Sequence, residues 1–282
     1  KTRLLTTAER FSNLQNKVSG GRHVHLDHAL RNVAATGITQ KDPADDFDVA
    51  GYDPTPEEQL QLFSSAEPVA VAAGENFSLA LLGNGTVWAW GENTYGQLGN
   101  GSTLNQSNPV RVIGLNDVVE IAAGAQHALA RKSDGTVWAW GANSRGQLGT
   151  GNTEYSLFPV QVYATGAEKI AAGSEFTMLL AGNDRSLYLC GDNSHDQLGQ
   201  IMYGAPYSAT FIAPDGISTA SEIAAGGTHC LAYKNGALWS WGGNSSGQLG
   251  IGDKIDSSVA LQVMTFSAAE WSGMAAGLSH SM

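Results

Sequence analysis

The amino-acid sequence predicts an all-β repeat propeller of four full four-stranded blades and part of a fifth, with a small N-terminal helical segment. The first observation is a period, because Ala-Ala-Gly recurs with its glycine at positions 74, 124, 173, 226 and 277. The second is a paired-aromatic stretch that keeps the same period and ends at glycines 91, 141, 191 and 242. A fixed period of about fifty residues is typical of repeat architectures.

Each repeat contains signals for four strands. The stretches "FSLALL", "HALARK" and "HCLAYK" lead through Asn-Gly or Asp-Gly into "TVWAWG" or "ALWSWG", which predicts hairpins with positive-φ turns. Segments such as 108–112 and 118–124 supply two more strands, and small four-stranded sheets at this period pack radially as blades. We place the blades at about residues 68–117, 118–166, 167–219 and 220–268, with a partial unit at 269–282.

The order of motifs resembles a known family. "AAG-x-x-H-x-L-A" is followed by "DG-x-V-W-x-WG-x-N-x-x-GQLG-x-G", and this pattern covers residues 68–282. It is similar to the regulator of chromosome condensation repeat family, whose propellers generally have seven blades. The third copy departs most, with Tyr188 and Cys190 in place of both tryptophans and Asp196 in place of the first glycine of "GQLG".

We assign the repeated tryptophans and glycines to architecture. Tryptophans two residues apart share one face of a strand, where each contributes about 1.5–3 kcal/mol by packing between neighbouring sheets. The alternative is a light-sensing tryptophan cluster, but the Gly-Trp-Arg-His-Thr motif associated with the related plant ultraviolet-B photoreceptor is absent. The structural residues are Trp88, Trp90, Trp138, Trp140, Trp239, Trp241, Gly74, Gly124, Gly173 and Gly226.

Residues 1–67 lack the repeat and predict a tether or assembly element. A capping box from Thr6 to Glu9 opens an amphipathic helix that stops at Gly20. An amphipathic helix ahead of a β-rich body distantly resembles the stem of type IV pilin-like proteins, although no pilin motif is present. The following stretch, residues 40–59, is acidic and Pro-rich and predicts an ordered loop or linker.

The fifth unit stops inside the first strand of its expected hairpin, at Met282. Four blades and part of a fifth cannot close a seven-bladed ring, and an open end exposes strand edges and an apolar blade face. Three explanations stay open: a fragment of a longer chain, which we favour, a ring completed by another chain, or a smaller ring that borrows N-terminal strands.

Two segments are candidates for metal sites. His23, His25, Asp27 and His28 are suitable zinc or nickel ligands by type, but their spacing matches no strong signature. An acidic loop could hold calcium through carboxylate oxygens, although it lacks the glycine of an EF-hand. Its candidate ligands are Asp42, Asp45, Asp46 and Asp48. No other cofactor is expected.

His127, His229 and His280 follow the Ala-Ala-Gly glycine by three residues, where other repeats have Phe77 and Phe176. Exchange with phenylalanine indicates a packing position with a local hydrogen bond. Neither a Gly-x-Ser-x-Gly elbow nor a P-loop is present, and the glycine-rich loops lead into strands without a helix N-terminus for phosphate. The sequence therefore predicts that the protein is not an enzyme.

The charge balance disfavours nucleic acid as a partner. Residues 68–282 contain 8 basic and 16 acidic side chains, the wrong sign for holding a phosphate backbone. The sequence contains no run of 18 apolar residues that would predict a membrane span, although a removed N-terminal anchor is possible. The non-Met start, low charge and small-residue repeats favour an extracellular or cell-surface location, with the cytoplasm as the alternative.

Our preferred hypothesis is a non-enzymatic protein-interaction or structural module, displayed on a surface or assembled into a pilin-like filament. Loop residues with the composition of an interface anchor are Met202, Tyr203, Tyr207, Tyr155 and Phe158. The family resemblance implies two alternatives, since its founding member is a nucleotide exchange factor for a small GTPase and another relative inhibits an enzyme. Fold alone does not decide among them.

Overall fold

The computed structural model describes residues 63, 66–182, 184–201, 206–266 and 273–282. Sixteen strands in this part of the chain form four antiparallel sheets. In each sheet, every strand pairs with the strand that follows it in sequence. The first blade contains β1 (Pro68–Ala73), β2 (Phe77–Leu82), β3 (Val87–Gly91) and β4 (Gln106–Arg111). The second contains β5 (Val118–Ala123), β6 (His127–Lys132), β7 (Val137–Gly141) and β8 (Ser156–Tyr163).

The third blade contains β9 (Ala167–Ala172), β10 (Phe176–Ala181), β11 (Ser186–Asp192) and β12 (Tyr207–Ile212). The fourth contains β13 (Glu222–Ala225), β14 (His229–Lys234), β15 (Ala237–Gly242) and β16 (Ser257–Thr265). The prediction of four four-stranded blades is confirmed. Residues 273–282 begin a fifth unit with one bridge between Ala276 and Ser281. The predicted N-terminal helix lies outside the described residues.

The hairpins between the second and third strands are closed by local side-chain hydrogen bonds. Asn84 Oδ1 accepts hydrogen bonds from the backbone N and Oγ1 of Thr86 at 3.2 and 2.7 Å, and Asp134 does the same for Thr136. Gly85 follows Asn84 with φ of 78°, a conformation that glycine adopts without steric cost. These turns fix the hairpin register, and a register slip would move the apolar side chains to the wrong face.

The innermost strands are joined from blade to blade by backbone hydrogen bonds. Glu75 N donates to Ala125 O, Ala125 N to Ser174 O, and Ser174 N to Gly227 O, each at 3.0 Å. Gly227 N continues the series to Gly277 O at 3.2 Å. The turns after Ala-Ala-Gly therefore lie beside one another along the array, so all blades present the same end to the same side.

The hydrophobic core lies between the blades. Leu79 and Leu98 of the first blade are fully buried in one cluster with Trp140 of the second. A second cluster joins the second and third blades, and a third joins Met178 of the third blade to Trp241 of the fourth. Each blade thus buries its apolar surface against a neighbour, as expected of a repeat architecture.

The glycine of Ala-Ala-Gly is required by close packing. In the second repeat the imidazole of His127 lies directly against Gly124, where a Cβ atom would overlap the ring and approach Gly173 O. Phe77 covers Gly74 in the same way. The aromatic ring three residues later is therefore the reason that the motif ends in glycine.

We expect Gly124→Ala to lower the free energy of unfolding by about 1–3 kcal/mol, because the added methyl group must displace a buried ring and a backbone carbonyl. Denaturant unfolding would measure the change. The matched control is Gly83→Ala, where a Cβ would meet its nearest atom at 3.5 Å, an ordinary contact. Equal stability of the two variants would contradict the packing role of Gly124.

Candidate protein-binding face

One end of the blades carries two sets of loops. In an antiparallel meander, the turn between the first two strands and the loop between the last two lie at the same end of the sheet. We call this end the loop face. Its described residues lie within 74–76, 92–105, 124–126, 142–155, 173–175, 193–201, 206, 226–228 and 243–256.

The long loop of each blade is folded around one asparagine. Asn93 Oδ1 accepts a hydrogen bond from Leu98 N at 2.9 Å, and its Nδ2 donates to the carbonyls of Ser102 and Leu104. Gln97 Oε1 accepts from Tyr95 N. The hydrogen bonds accepted by the Asn Oδ1 and the Gln Oε1 recur in the other three blades. The glycine-rich stretch is therefore a rigid scaffold that leaves the outward side chains free to vary.

The glutamine of this loop also binds the next blade. Gln97 O accepts the indole Nε1–H of Trp140 at 2.9 Å, and Gln197 O accepts that of Trp241 at 3.0 Å. At the remaining interface Cys190 replaces the tryptophan, and its Sγ lies 3.5 Å from Gln147 O. The thiol thus takes over the role of hydrogen-bond donor, which makes the third repeat a chemical variant of the same contact.

The repeat histidines belong to these interfaces. His127 Nε2 lies 3.1 Å from Thr177 Oγ1 of the next blade, and that hydroxyl donates to Gln147 O at 2.8 Å. The Thr177 proton is therefore used, so His127 Nε2–H is the donor. His229 and Ser281 repeat the arrangement at 2.9 Å. The hydrogen bond predicted to be local instead crosses between blades, because each ring points at its neighbour.

Burial lowers the pKa of His127 to about 4, and burial together with nearby His280 lowers that of His229 to about 4. Both rings are neutral at pH 7 and inaccessible to a substrate. Burial also raises the pKa of the free thiols of Cys190 and Cys230. These groups therefore offer neither a nucleophile nor a general base.

Four of the six repeated tryptophans pack in the clusters between blades, namely Trp138, Trp140, Trp239 and Trp241. Trp140 and Trp241 are fully buried, whereas Trp88 and Trp138 donate their Nε1–H to Thr86 and Thr136, which immediately precede their strands. Trp90 and Trp239 are half-buried. The ring of Phe63 lies edge-on 5.6 Å from Trp88 and 6.4 Å from Trp90.

The loop face exposes large apolar side chains in every blade. The exposed set consists of Tyr95, Leu104, Tyr155, Ile201 and Ile255. Among the predicted anchors, Tyr155 is 53% exposed, Phe158 is 48% exposed and packs on Gly101 of the preceding blade, and Tyr207 is half-buried. Met202 and Tyr203 lie outside the described residues. The other four exposed residues were not singled out from sequence, although apolar residues within glycine- and asparagine-rich loops are a usable signal.

The loop face is also acidic. Its described part, together with Asp192 at its edge, contains eight carboxylates and two cations. They are Glu75, Glu92, Glu154, Glu175, Asp192, Asp196, Asp253 and Asp256, against Arg145 and Lys254. Arg145 Nε lies 3.8 Å from Glu175 Oε2 and 3.7 Å from Asp192 Oδ1, so one cation is already shared by two carboxylates. A cationic surface would complement this face.

Both predicted metal segments, His23 to His28 and Asp42 to Asp48, lie outside the described residues. Within the described ranges, no group of three histidine, cysteine, aspartate or glutamate side chains could hold a metal ion. In that same part of the chain, no helix is long and apolar enough to cross a bilayer.

The chain matches known proteins through its repeats. The model of the RCC1-like domain family matches residues 16–282, starting well before the first predicted blade. Yeast Prp20p from Saccharomyces cerevisiae is 26% identical with a TM-score of 0.68, over 78% of this chain and 56% of that protein. Human WBSCR16 is also 26% identical, with a TM-score of 0.67, over 77% of this chain and 57% of that one.

A sequence relative is the ultraviolet-B receptor UVR8 of Arabidopsis thaliana, 43% identical over 60 residues, which are 21% of this chain and 14% of the receptor. The chain thus spans little more than half of the solved structures that it resembles, and a small part of this receptor.

Acid should destabilise the protein through His127. Histidine in the unfolded chain titrates near 6.5 and folded His127 near 4, so protons favour the unfolded state in this window. The contribution of neutral His127 to the free energy of unfolding is fully present above pH 6.5 and is lost as the pH falls towards 4. We expect His127 to account for about 2–3 kcal/mol of the stability lost between pH 7 and 4.5.

Denaturant unfolding of the wild type and of His127→Phe at pH 7 and at pH 4.5 would measure this loss of stability. Phenylalanine occupies the same position in two other repeats, and the carboxylates titrate alike in both proteins, so their contribution cancels. An equal loss of stability in the two proteins would contradict a buried, neutral His127.

Proposed function

Because the chain belongs to the RCC1-like domain family, we propose that it is a non-enzymatic protein-binding propeller that holds a basic protein partner against its loop face. Membership of this family confirms the resemblance inferred from the repeats. The His127 ring, the Trp140 indole and the Cys190 thiol are occupied in contacts between blades, which leaves the loops as the variable surface.

The observation that carries the proposal is the difference between the two ends of the blades. The loop face exposes five large apolar side chains and contains seven carboxylates. The described turns and linkers at the other end expose one, Ile113. Aromatic and aliphatic anchors within a charged surround are typical of protein interfaces, where opposite charge steers association.

The similar solved proteins support a protein ligand. Prp20p is described by its binding to Gsp1p and histones, and a second structure shows it with Kap60 bound. Histones are basic proteins, so the acidic loop face of this chain suits a partner of that charge. The partner of this chain is itself a proposal, since the chain covers about half of Prp20p.

Binding to purified histone octamers would test the proposal, measured by fluorescence titration at several salt concentrations. We expect salt-sensitive binding that the double variant Glu75→Lys and Glu175→Lys weakens about tenfold, because both reversals place cations on the loop face. The control is Glu67→Lys with Glu222→Lys, since both positions lie at the opposite end of the blades. Salt-independent binding, absence of binding, or equal weakening by both pairs would contradict the proposal.

A second candidate function is nucleotide exchange on a small GTPase, which the likeness to Prp20p favours. The test is release of fluorescent GDP from Gsp1p in the presence of this protein. Acceleration well above the spontaneous rate would support exchange activity, and an unchanged rate would count against it. Enzyme inhibition, assembly into a pilin-like filament and a location outside the cell stay predictions.

A further inference from the structure

One guanidinium faces two carboxylates at the edge of the loop face, where the second blade meets the third. Arg145 lies in the loop between β7 and β8, and its Nε is 3.7 Å from Asp192 Oδ1 and 3.8 Å from Glu175 Oε2. Asp192 is the last residue of β11, and Glu175 directly precedes β10 in the same blade. Asp192 N donates to Glu175 O at 2.8 Å, so the backbone holds these two acidic residues next to each other.

The carboxylate of Asp192 is buried but only half satisfied. Its side chain is 6% exposed, and its Oδ2 accepts hydrogen bonds from Ser194 Oγ and from Gln197 Nε2. Its Oδ1 is also buried and has no hydrogen-bond partner among the described residues. The distance of 3.7 Å to Arg145 Nε is too long for a hydrogen bond. Arg145 therefore offsets the charge of Asp192 without donating to Oδ1, and a buried acceptor of this kind normally has a donor.

The third blade departs from the repeat at this place. In the first blade the equivalent residues are Asn76 and Glu92, and Asn76 Nδ2 donates to Glu92 Oε2 at 3.1 Å. Of the four described blades, only the third has carboxylates at both positions. The carboxylate of Glu175 cannot donate as the amide of Asn76 does. The missing donor therefore has to come from another blade or from another molecule.

The chemistry of these acceptors suits a guanidinium better than an ammonium. A guanidinium is planar and carries five N–H donors, so it can hydrogen-bond two carboxylates at once, whereas an ammonium is a compact point charge. The chain itself places an arginine between Glu175 and Asp192. The side chain of Arg145 is 42% exposed, so it can leave this position without disturbing the core between the blades.

We propose that Glu175 and Asp192 form an arginine-binding site for the basic partner. A guanidinium of the partner displaces Arg145, donates to Asp192 Oδ1 and pairs with the Glu175 carboxylate. Arg145 is an internal competitor that occupies the site in the free protein. This inference rests on the proposed function, because it names the side chain through which the loop face recognises a basic protein.

Two peptides of equal charge, fluorescein-labelled hexa-arginine and hexa-lysine, would test the proposal by fluorescence anisotropy with the full chain. We expect hexa-arginine to bind about fivefold more tightly or better, because only a guanidinium can bond both carboxylates. Asp192→Asn should remove most of this preference. The amide oxygen still accepts from Ser194 and Gln197, but an N–H group then faces the guanidinium.

The matched control is Glu92→Gln, the equivalent position in the first blade, where the carboxylate already accepts from Asn76 and Thr94. This variant should weaken both peptides equally and leave the preference for arginine unchanged. Circular dichroism would show that Asp192→Asn and Glu92→Gln are folded.

A gain-of-binding variant tests the role of Arg145. Arg145→Gln removes the internal competitor and should tighten hexa-arginine binding about threefold or more beyond the effect of Lys254→Gln. Lys254 is the other cation of the described loop face, so its replacement removes the same charge without opening the site.

The outcomes separate this inference from the proposed function. Equal binding of the two peptides by the wild type would overturn the arginine site while the proposed function stands. So would a preference that Asp192→Asn leaves unchanged, or an effect of Arg145→Gln no larger than that of Lys254→Gln. Failure of both peptides and of histone octamers to bind would overturn the proposed function and the arginine site together.

Discussion

The hydrogen bond to the carbonyl of the loop glutamine is the contact on which the rest of the structure depends. The backbone carbonyls of Gln97, Gln147 and Gln197 each accept a hydrogen bond from the blade that follows. An unpaired carbonyl buried at such an interface would cost the free energy of a lost hydrogen bond. The asparagine-centred loop, the indole or thiol donor and the glycine beside it are all arranged around this acceptor.

This dependence explains why the buried histidine and thiol side chains of the described blades are held in contacts between blades. His127 is held neutral between Gly124 and Thr177, and Cys190 is buried against Gln147 O. Each has a counterpart of another type in another repeat, where Phe77 or Trp140 fills the same volume. Residues that can be exchanged in this way serve packing and polar pairing, which is why we propose the loop face as the binding surface.

The histidines also follow a rule that links neighbouring blades. His127 and His229 face the hydroxyl groups of Thr177 and Ser281 in the following unit. The blade that follows Phe77 has Ala128 at the position equivalent to Thr177 and Ser281. A ring nitrogen needs a polar partner when buried, and a phenyl ring does not. The ring residue of each of these repeats is therefore matched to the polarity of the residue that faces it in the next repeat.

The sequence by itself determined the period, the four-stranded unit and the hairpin turns, because these depend on local chemistry repeated at fixed spacing. It could not determine which groups meet between blades. Gln97 O and Trp140 are 43 residues apart, and nothing in the local pattern reveals that Cys190 donates where a tryptophan otherwise would. Nor could it separate Tyr155 and Leu104, which are exposed, from Tyr207, which is half-buried. Only the tertiary structure decided these points, because exposure and pairing arise when one blade is placed against the next.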